Sequence, residues 1–409
     1  MNNKLNDLVK LTDRCINCGF CEAVCPTLEA FSYDSAEGAR GRIIIAKDIQ
    51  NRFKDGDKLI KSFYSCLDCN ACLYVCPAGI SAGNASDIVK KMIVEESKTG
   101  NNIKRDPVSD MIVRMIMKYN SPLGISKKGN AWVEKLEFDK TSDILFYTGQ
   151  MYMMASYSKK FATIEKKMGK KISNLGAIII KKIPFLLKIL PTFLSNNDEE
   201  IYKQSVLNIY TLLREAGLKL NYLNDEPYPG TFLIDLGYEE EFKIYAERIY
   251  NEIKREGIKT VVTVDPHTYT LLKYIYPKYI TDFDLNIVFY VDIINDLKFK
   301  NINKKVILHE PCHLVRGQEN YFGVTLLLDK VSDLELPDNN GVNTYCCGGP
   351  DELLYPQTAE KVSEKRYQEL RKKGNFDIIT ACPICLSNLR KDGNVRDLSY
   401  ILIDALEKK

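Results

Sequence analysis

Three histidines and one tryptophan are all that 409 residues hold of those two types. A site built mainly on imidazoles therefore has little to draw on. Charge of one sign is missing too: 57 Lys and Arg stand against 54 Asp and Glu, a formal net charge of +3. A nucleic-acid footprint would need a strong basic excess, so no nucleic-acid partner is expected. The opening MNNKLNDLVK lacks the apolar core of a secretory signal. No G-x-G-x-x-G follows a predicted strand, so neither flavin nor nicotinamide has a recognisable phosphate loop. The most apolar stretch, residues 178–190, is interrupted by three Lys and a Pro and cannot span a bilayer. At 45% hydrophobic and 27% charged the chain is an ordinary globular protein, long enough for two or three domains.

What is abundant is cysteine, with 13 residues: eight between positions 15 and 76, none from 77 to 311, and five after that. Without export, thiols stay reduced and are better suited to metal than to disulfides. The cytoplasm is the expected compartment. Cys15-Ile-Asn-Cys18-Gly-Phe-Cys21-Glu-Ala-Val-Cys25-Pro26 reads C-x2-C-x2-C-x3-C-P. Cys66-Leu-Asp-Cys69-Asn-Ala-Cys72-Leu-Tyr-Val-Cys76-Pro77 repeats it with no change of spacing. This is the ligand run of bacterial ferredoxins, in which the fourth Cys serves the other cluster. Three thiolates two residues apart can curl around three corners of a cubane, while the fourth points to its neighbour. The run assigns Cys15, Cys18, Cys21 and Cys76 to one [4Fe–4S] cluster and Cys66, Cys69, Cys72 and Cys25 to a second. Zinc knuckles would gain nothing from the third step or the terminal Pro.

Between the runs, Ile43–Phe53 and Lys58–Phe63 have the apolar spacing of helices, and Phe20–Cys25 and Leu73–Cys76 would begin further turns. The pattern resembles the all-helical ferredoxin domain of succinate dehydrogenase iron–sulfur subunits and heterodisulfide reductase C subunits. Gly38-Ala-Arg-Gly-Arg42 resembles the loop between the motifs in glycolate oxidase iron–sulfur subunits. Arg40 and Arg42 are read there as solvated loop residues without chemistry. Clusters of Lys, Asn and Ser around a helix at Ser109–Tyr119 mark residues 101–140 as a linker. Beyond it, strands at Ile144–Tyr147, Val261–Val264, Ile287–Tyr290, Val306–His309 and Ile378–Thr380 alternate with helical stretches. Those helices fit Ile201–Ala216, Glu239–Glu256, Thr268–Tyr276 and Thr358–Lys373. Such alternation predicts parallel α/β sheets.

The last five cysteines are Cys312, Cys346, Cys347, Cys382 and Cys385, in the contexts Pro-Cys-His, Cys-Cys-Gly-Gly and Cys-Pro-Ile-Cys. Four thiolates complete a zinc tetrahedron and leave a fifth idle, so five suit a larger cluster. Spacing alone does not name the metal, and zinc stays open. Gly348-Gly349 permits the positive φ that a backbone pressed against a metal needs. The set resembles the cysteine-rich CCG domain found in the B and D components of heterodisulfide reductases. Glycolate oxidase and anaerobic glycerol-3-phosphate dehydrogenase iron–sulfur subunits carry the same module. That resemblance implies a non-cubane [4Fe–4S] cluster.

CCG domains come in pairs, and a first copy is legible without its thiols. Asp265 and Thr268 fall at the C-x-x-C positions, Tyr228 and Pro229 at the Cys-Cys pair, and Gln150 at the position of Cys312. That lobe is expected to serve as scaffold. His309 and His313 bracket Cys312, where each could donate a hydrogen bond to thiolate sulfur or simply pack at the surface. The basic 178–190 stretch is compatible with peripheral contact on the inner face of a membrane, and equally with a buried helix that has Lys ends.

The expected architecture is α+β and multidomain. An all-helical 2×[4Fe–4S] ferredoxin domain (1–100) and a linker (101–140) precede a cysteine-free CCG lobe (141–304) and a complete one (305–409). The resemblance, to heterodisulfide reductases of the D type and to glycolate oxidase iron–sulfur subunits, implies an electron-transfer role. Such a chain would work between a separate flavoprotein dehydrogenase, or other redox subunit, and a quinone or thiol acceptor. Two alternatives remain: a catalytic disulfide reductase component and a zinc-stabilised interaction scaffold.

Overall fold

Among the described residues seven short strands form two separate sheets, all of them beyond residue 143. The computed structural model describes residues 2–49, 56–99, 105–123, 133, 136–169, 174, 176, 198–317, 321–391 and 393–407. Strands β1 (Ile144–Tyr147), β2 (Thr260–Thr263) and β3 (Asn286–Phe289) pair in parallel in that order. In the second sheet β4 (Lys305–Leu308), β5 (Asp333–Glu335), β6 (Asp377–Thr380) and β7 (Val395–Asp397) follow the order β5-β4-β6-β7, again parallel. Ile-Leu-Phe-Tyr and Val-Ile-Leu runs suit strands buried on both faces, as parallel sheets require. Leu145, Phe146, Val306, Ile307, Ile378 and Ile379 are all buried.

The two sheets are built alike. Asn221 forms a parallel bridge to Leu145 on the outer side of β1, the place that β5 takes beside β4. The helix after β1 (Met151–Met168) packs on the helix after β6 (Pro383–Leu389). Reciprocally, the helix after β2 (Pro266–Thr270) packs on the turn of helix after β4 (Cys312–Val315). That exchange is what a two-fold-like pairing of similar lobes produces. Tyr152 Oη donates to Asp397 Oδ2 at 2.7 Å and Ser158 Oγ to Glu352 Oε2 at 2.8 Å across the join.

Helices alone make up the described part of the first hundred residues. Ala82–Lys98, capped by Ser81 Oγ at 3.1 Å, buries Ala82, Ala85, Val89, Met92 and Ile93 against Asn2–Thr12, Ala39–Lys47 and Gly56–Tyr64. Residues 38–42, expected as a loop, enter the Ala39–Lys47 helix. Arg42 is 1% exposed there rather than solvated. Pro107–Tyr119 is capped by Asp106 and buries Val108, Met111, Ile112 and Ile116. The expected Thr268–Tyr276 helix is broken: one α turn passes into a wider π turn at Leu271–Ile275 and a 3-10 turn at Tyr276–Lys278. Pro277 accounts for the break, because it removes a donor and crowds the preceding turn.

The helical domain is wedged against both lobes. Tyr64 Oη donates to the Leu236 carbonyl at 3.0 Å, and Lys91 Nζ meets Glu239 Oε1 at 2.7 Å. Toward the last lobe, Lys361 Nζ donates to the Ala30 carbonyl at 2.9 Å. Among the described residues no helix is long and apolar enough to cross a membrane. The 178–190 stretch lies outside them.

Candidate metal centres

The two ferredoxin-type runs fold into matched loops. Asn17 and Gly19 in one, and Asp68 and Asn70 in the other, take positive φ of 58°, 84°, 44° and 56°. Gly, Asn and Asp are the residues that enter the left-handed region at least cost. These bends set Cys15 and Cys18, and likewise Cys66 and Cys69, ahead of a helical turn, Phe20–Ala23 or Ala71–Tyr74, that carries Cys21 or Cys72. Cys25 then stands at the N-cap of Pro26–Ala30, with Pro26 in the first helical position, where its missing N–H costs nothing.

Each cavity collects its fourth thiol from the other run. Cys15, Cys18, Cys21 and Cys76 line a space of about 430 Å³ between the loops. Cys25, Cys66 and Cys69 line an adjoining one of about 320 Å³, and Cys72 forms wall to both. Cys18 is exposed, whereas Cys72, shared by both spaces, is buried. Burial pushes the thiols of Cys21 and Cys66 up to about 11 and that of Cys72 to about 12. A metal has to displace protons from these sulfurs to bind. Arg42 lies behind Cys25: its guanidinium donates to Thr27 Oγ1 at 2.9 Å, Ser62 O at 2.6 Å and Ser65 Oγ at 3.0 Å, with Cys25 Sγ at 4.0 Å.

The five later cysteines converge in the last lobe, all buried. Cys312 opens its short helix after β4, and Cys382 is the N-cap of Pro383–Leu389 after β6. Cys346 and Cys347 arrive on a loop that turns at Gly348, φ +83°, where a Cβ would sit 2.6 Å from the Ala359 carbonyl oxygen. Gly349 is needed for space instead, since a Cβ would lie 2.1 Å from Ile384. Hydrogen bonds to Cys312, Cys347 and Cys69 hold the Cys346 thiol well above its ordinary range. Cys347 is driven down, chiefly by the bond from Cys346. The Cys69 contact crosses domains: the bond from Cys346 lowers that thiol in turn. Cys69 thus belongs to the wall of the second ferredoxin cavity and touches the five-thiol site as well.

His309, 1% exposed, is no surface residue. Its Nδ1 accepts from Arg366 Nε at 3.1 Å, which places the ring proton on Nε2. Nε2 has no nitrogen or oxygen partner, and the ring groups with Cys347 and Cys385, ligand atoms within 4.8 Å of one another. A buried orphan donor beside a lowered thiol is what a sulfur-bound metal leaves in place. Arg366 is itself fully buried and tied to Glu369, Asn339 and Thr344. His313 stacks on His267 at 4.1 Å between ring centres, and burial lowers both. The pair lines an open cavity of about 1590 Å³ that reaches Cys312 and Cys69.

The corresponding place in the first sheet is filled. Gly149, φ +59°, is clamped between Thr268 and Pro229, with an added Cβ 2.5 Å from Thr268 Oγ1 and 3.4 Å from Pro229. Gln150 Nε2 donates to the carbonyls of Glu226 at 2.7 Å and Asn120 at 3.0 Å. Tyr228 is fully buried, and Asp265 Oδ1 caps His267 N and Thr268 N at 2.9 Å each. Gln150, Pro229 and Thr268 therefore surround one glycine. Among the described residues the Asp265–His267 pair gathers no third metal-ligating side chain, and the Asp265 Oδ1 atom is committed to its cap.

Donor sets made of thiols on parallel lobes of this kind fit an iron–sulfur protein. Residues 12–80 match the family described as 4Fe-4S dicluster domain, and residues 306–390 match the cysteine-rich domain. The chain is 21% identical over 426 residues to the D component of the dihydromethanophenazine:CoB–CoM heterodisulfide reductase of Methanosarcina mazei, covering 97% of this chain and 92% of that one. It is 24% identical over 386 residues to the B component of the fumarate reductase (CoM/CoB) of Methanothermobacter marburgensis, 92% of this chain but 67% of that protein. Over 84 residues, 20% of each chain, it is 33% identical to the glycolate oxidase iron–sulfur subunit of Escherichia coli. The chain thus resembles the D component of heterodisulfide reductases and the glycolate oxidase iron–sulfur subunit, and stands among the iron–sulfur subunits of oxidoreductases.

Of the arginines buried at these sites, Arg42 reads in the sequence as a solvated loop residue, and Arg316 and Arg366 carry no mark there. Arg366 sits in the charged helix Pro356–Arg371, where the default is solvent. Arg316 follows Cys312 by four residues, one helical turn, and that spacing is the only available signal.

Proposed function

We propose that this chain is an electron-relay subunit working between a separate flavoprotein dehydrogenase and a quinone or thiol acceptor. The observation that carries the reading is the unbroken row of three thiol sets. Cys72 is shared wall between the first two, and Cys69 touches Cys346 of the third. In this reading Cys15, Cys18, Cys21 and Cys76 hold one [4Fe–4S] cubane, and Cys25, Cys66, Cys69 and Cys72 hold the other. Cys312, Cys346, Cys347, Cys382 and Cys385 hold a third, non-cubane cluster. The bound clusters supply storage and transfer of single electrons. The residues supply position and charge: the loops set the sulfurs, and Arg42 offsets thiolate charge at Cys25. His309 donates toward Cys347, and the first lobe keeps its own site filled with oxygen and aromatic side chains.

A second reading, catalytic reduction of a disulfide, is favoured by the open cavity that reaches Cys312 and His313. It lacks the partner cluster that a paired site would place across the join, because Gln150, Tyr228, Pro229, Asp265 and Thr268 hold the first lobe.

Metal analysis after anaerobic purification tests the relay. Three clusters require about 12 Fe per chain, and replacing Cys346 and Cys347 by Ser should remove about 4 of them while the cubane signals persist. About 8 Fe with one Zn would assign the five-thiol site to zinc and end the relay at the second set. A chain that takes up no iron would leave only the scaffold.

A further inference from the structure

One guanidinium joins the loop of the second ferredoxin run to the loop of the Cys-Cys pair. Arg316 ends the short helix that begins at Cys312 and is 5% exposed. Its Nε donates to the Cys69 carbonyl at 2.5 Å, and its Nη1 to the carbonyls of Thr344 at 2.6 Å and Val342 at 3.1 Å. Cys69 and Cys346 stand on the two loops whose carbonyls it binds, and their side chains pack in one cluster and line one cavity. Two other polar ties join the ferredoxin-type domain to the last lobe beside this contact, Lys361 to Ala30 and Lys365 to Glu29, but neither binds the loop of Cys69 or the loop of Cys346.

We infer that Arg316 is the positioning residue for transfer between the second ferredoxin-type site and the five-thiol site, fixing the Cys69–Cys346 contact. This rests on the relay reading of those sites. The choice of Arg is physical: a planar fork has several donors in fixed directions and can serve carbonyls from two loops at once. Lys holds its donors on one nitrogen, whereas Arg316 reaches the Cys69 carbonyl and the Val342 and Thr344 carbonyls from two different nitrogens. Arg316 forms and breaks no bond to metal, and the electron given up at the Cys69 side is the one taken at the Cys346 side. A shift of either loop lengthens the gap, and small displacements of supporting residues are costly at metal sites.

The test compares the iron-loaded full chain with Arg316→Lys, Arg316→Gln and, as a control for loosened domain packing, Lys361→Met. Rapid-freeze EPR after mixing with a substoichiometric reductant follows which cluster signal appears first and how fast the five-thiol signal grows. Amide hydrogen exchange of the iron-free chain is read at residues 66–72 and 342–346. Both Arg316 variants should keep the full iron content yet show growth of the five-thiol signal slowed roughly ten- to hundredfold. They should also lose magnetic interaction between the two sites and exchange faster in those two loops, while Lys361→Met behaves as wild type. Wild-type rates in Arg316→Gln with full iron would overturn the assignment and leave the relay standing. Equal slowing in Lys361→Met would reduce Arg316 to general packing and overturn it too. No transfer in the wild type would instead sink the relay itself. Should Arg316→Gln not fold, Arg316→Lys, which keeps charge and bulk, decides by the same readouts.

Discussion

At the residue scale, the chemistry is set by what stands behind each sulfur. Arg366 holds Nδ1 of His309 as an acceptor, so the ring offers Cys347 an N–H. A hydrogen bond to thiolate sulfur drains charge and favours the reduced, more negative state of a cluster. Replacing His309 by Leu should therefore lower the midpoint potential of the five-thiol site by about 50 mV, the one-electron equivalent of roughly 1 kcal/mol. Potentiometric EPR titration would show this, with the ferredoxin-type signals unmoved. An unchanged potential would reduce His309 to a packed core residue. Arg42 plays a similar part at Cys25, yet the burial of neither arginine was legible in the chain. A single Arg among polar neighbours reads as solvated, and only the tertiary fold buries it.

At the element scale, two loops of identical spacing exchange their last ligand. The turns at Asn17, Gly19, Asp68 and Asn70 set three sulfurs inward, while the Val24–Pro26 and Val75–Pro77 segments carry Cys25 and Cys76 across to the opposite cavity. Cys25→Ser should damage the signal of the site shared with Cys66, Cys69 and Cys72, and Cys76→Ser the site shared with Cys15, Cys18 and Cys21. Spectra of singly reconstituted variants would check it, and damage confined to the substituted run's own three cysteines would refute the exchange. Much of this was legible, because ligand spacing is a local property and the strand runs Ile144–Tyr147 and Val306–Leu308 are plainly apolar. What stayed hidden has identifiable causes. Strands β5 and β7, Asp333-Leu-Glu and Val395-Arg-Asp, are three residues each and carry two charges apiece, so no periodicity can show. The first turn of the helix at residues 39–47 was obscured by Gly38 and Gly41, although its later part falls in the stretch from Ile43 expected to be helical. Gly41 sits there because a Cβ would fall 1.7 Å from the Ser35 carbonyl oxygen.

At the scale of the whole molecule, two lobes of like topology have been given unlike contents, and that asymmetry decides between relay and catalysis. Splitting a disulfide takes two electrons and a place for each thiolate product. A symmetric pair of thiol sites would offer one place per sulfur across the lobe join. Here one side presents Cys312 and His313, and the other presents His267, set against His313, with Asp265 Oδ1 capping the backbone N–H groups of His267 and Thr268 behind it. Burial lowers both histidines, His313 to about 4, so at neutral pH neither is a ready cation to protonate a leaving thiolate. Electrons delivered one at a time suit a quinone or a partner protein better than an S–S bond. The iron-loaded chain should accordingly pass electrons from reduced viologen to artificial dyes, yet cleave a small mixed disulfide at rates close to those of its Cys312→Ser variant. Anaerobic viologen oxidation with and without the disulfide measures this directly. Fast turnover abolished by Cys312→Ser would overturn the relay as the chain's main activity and show that one five-thiol site, fed through the open cavity, is enough to break the bond.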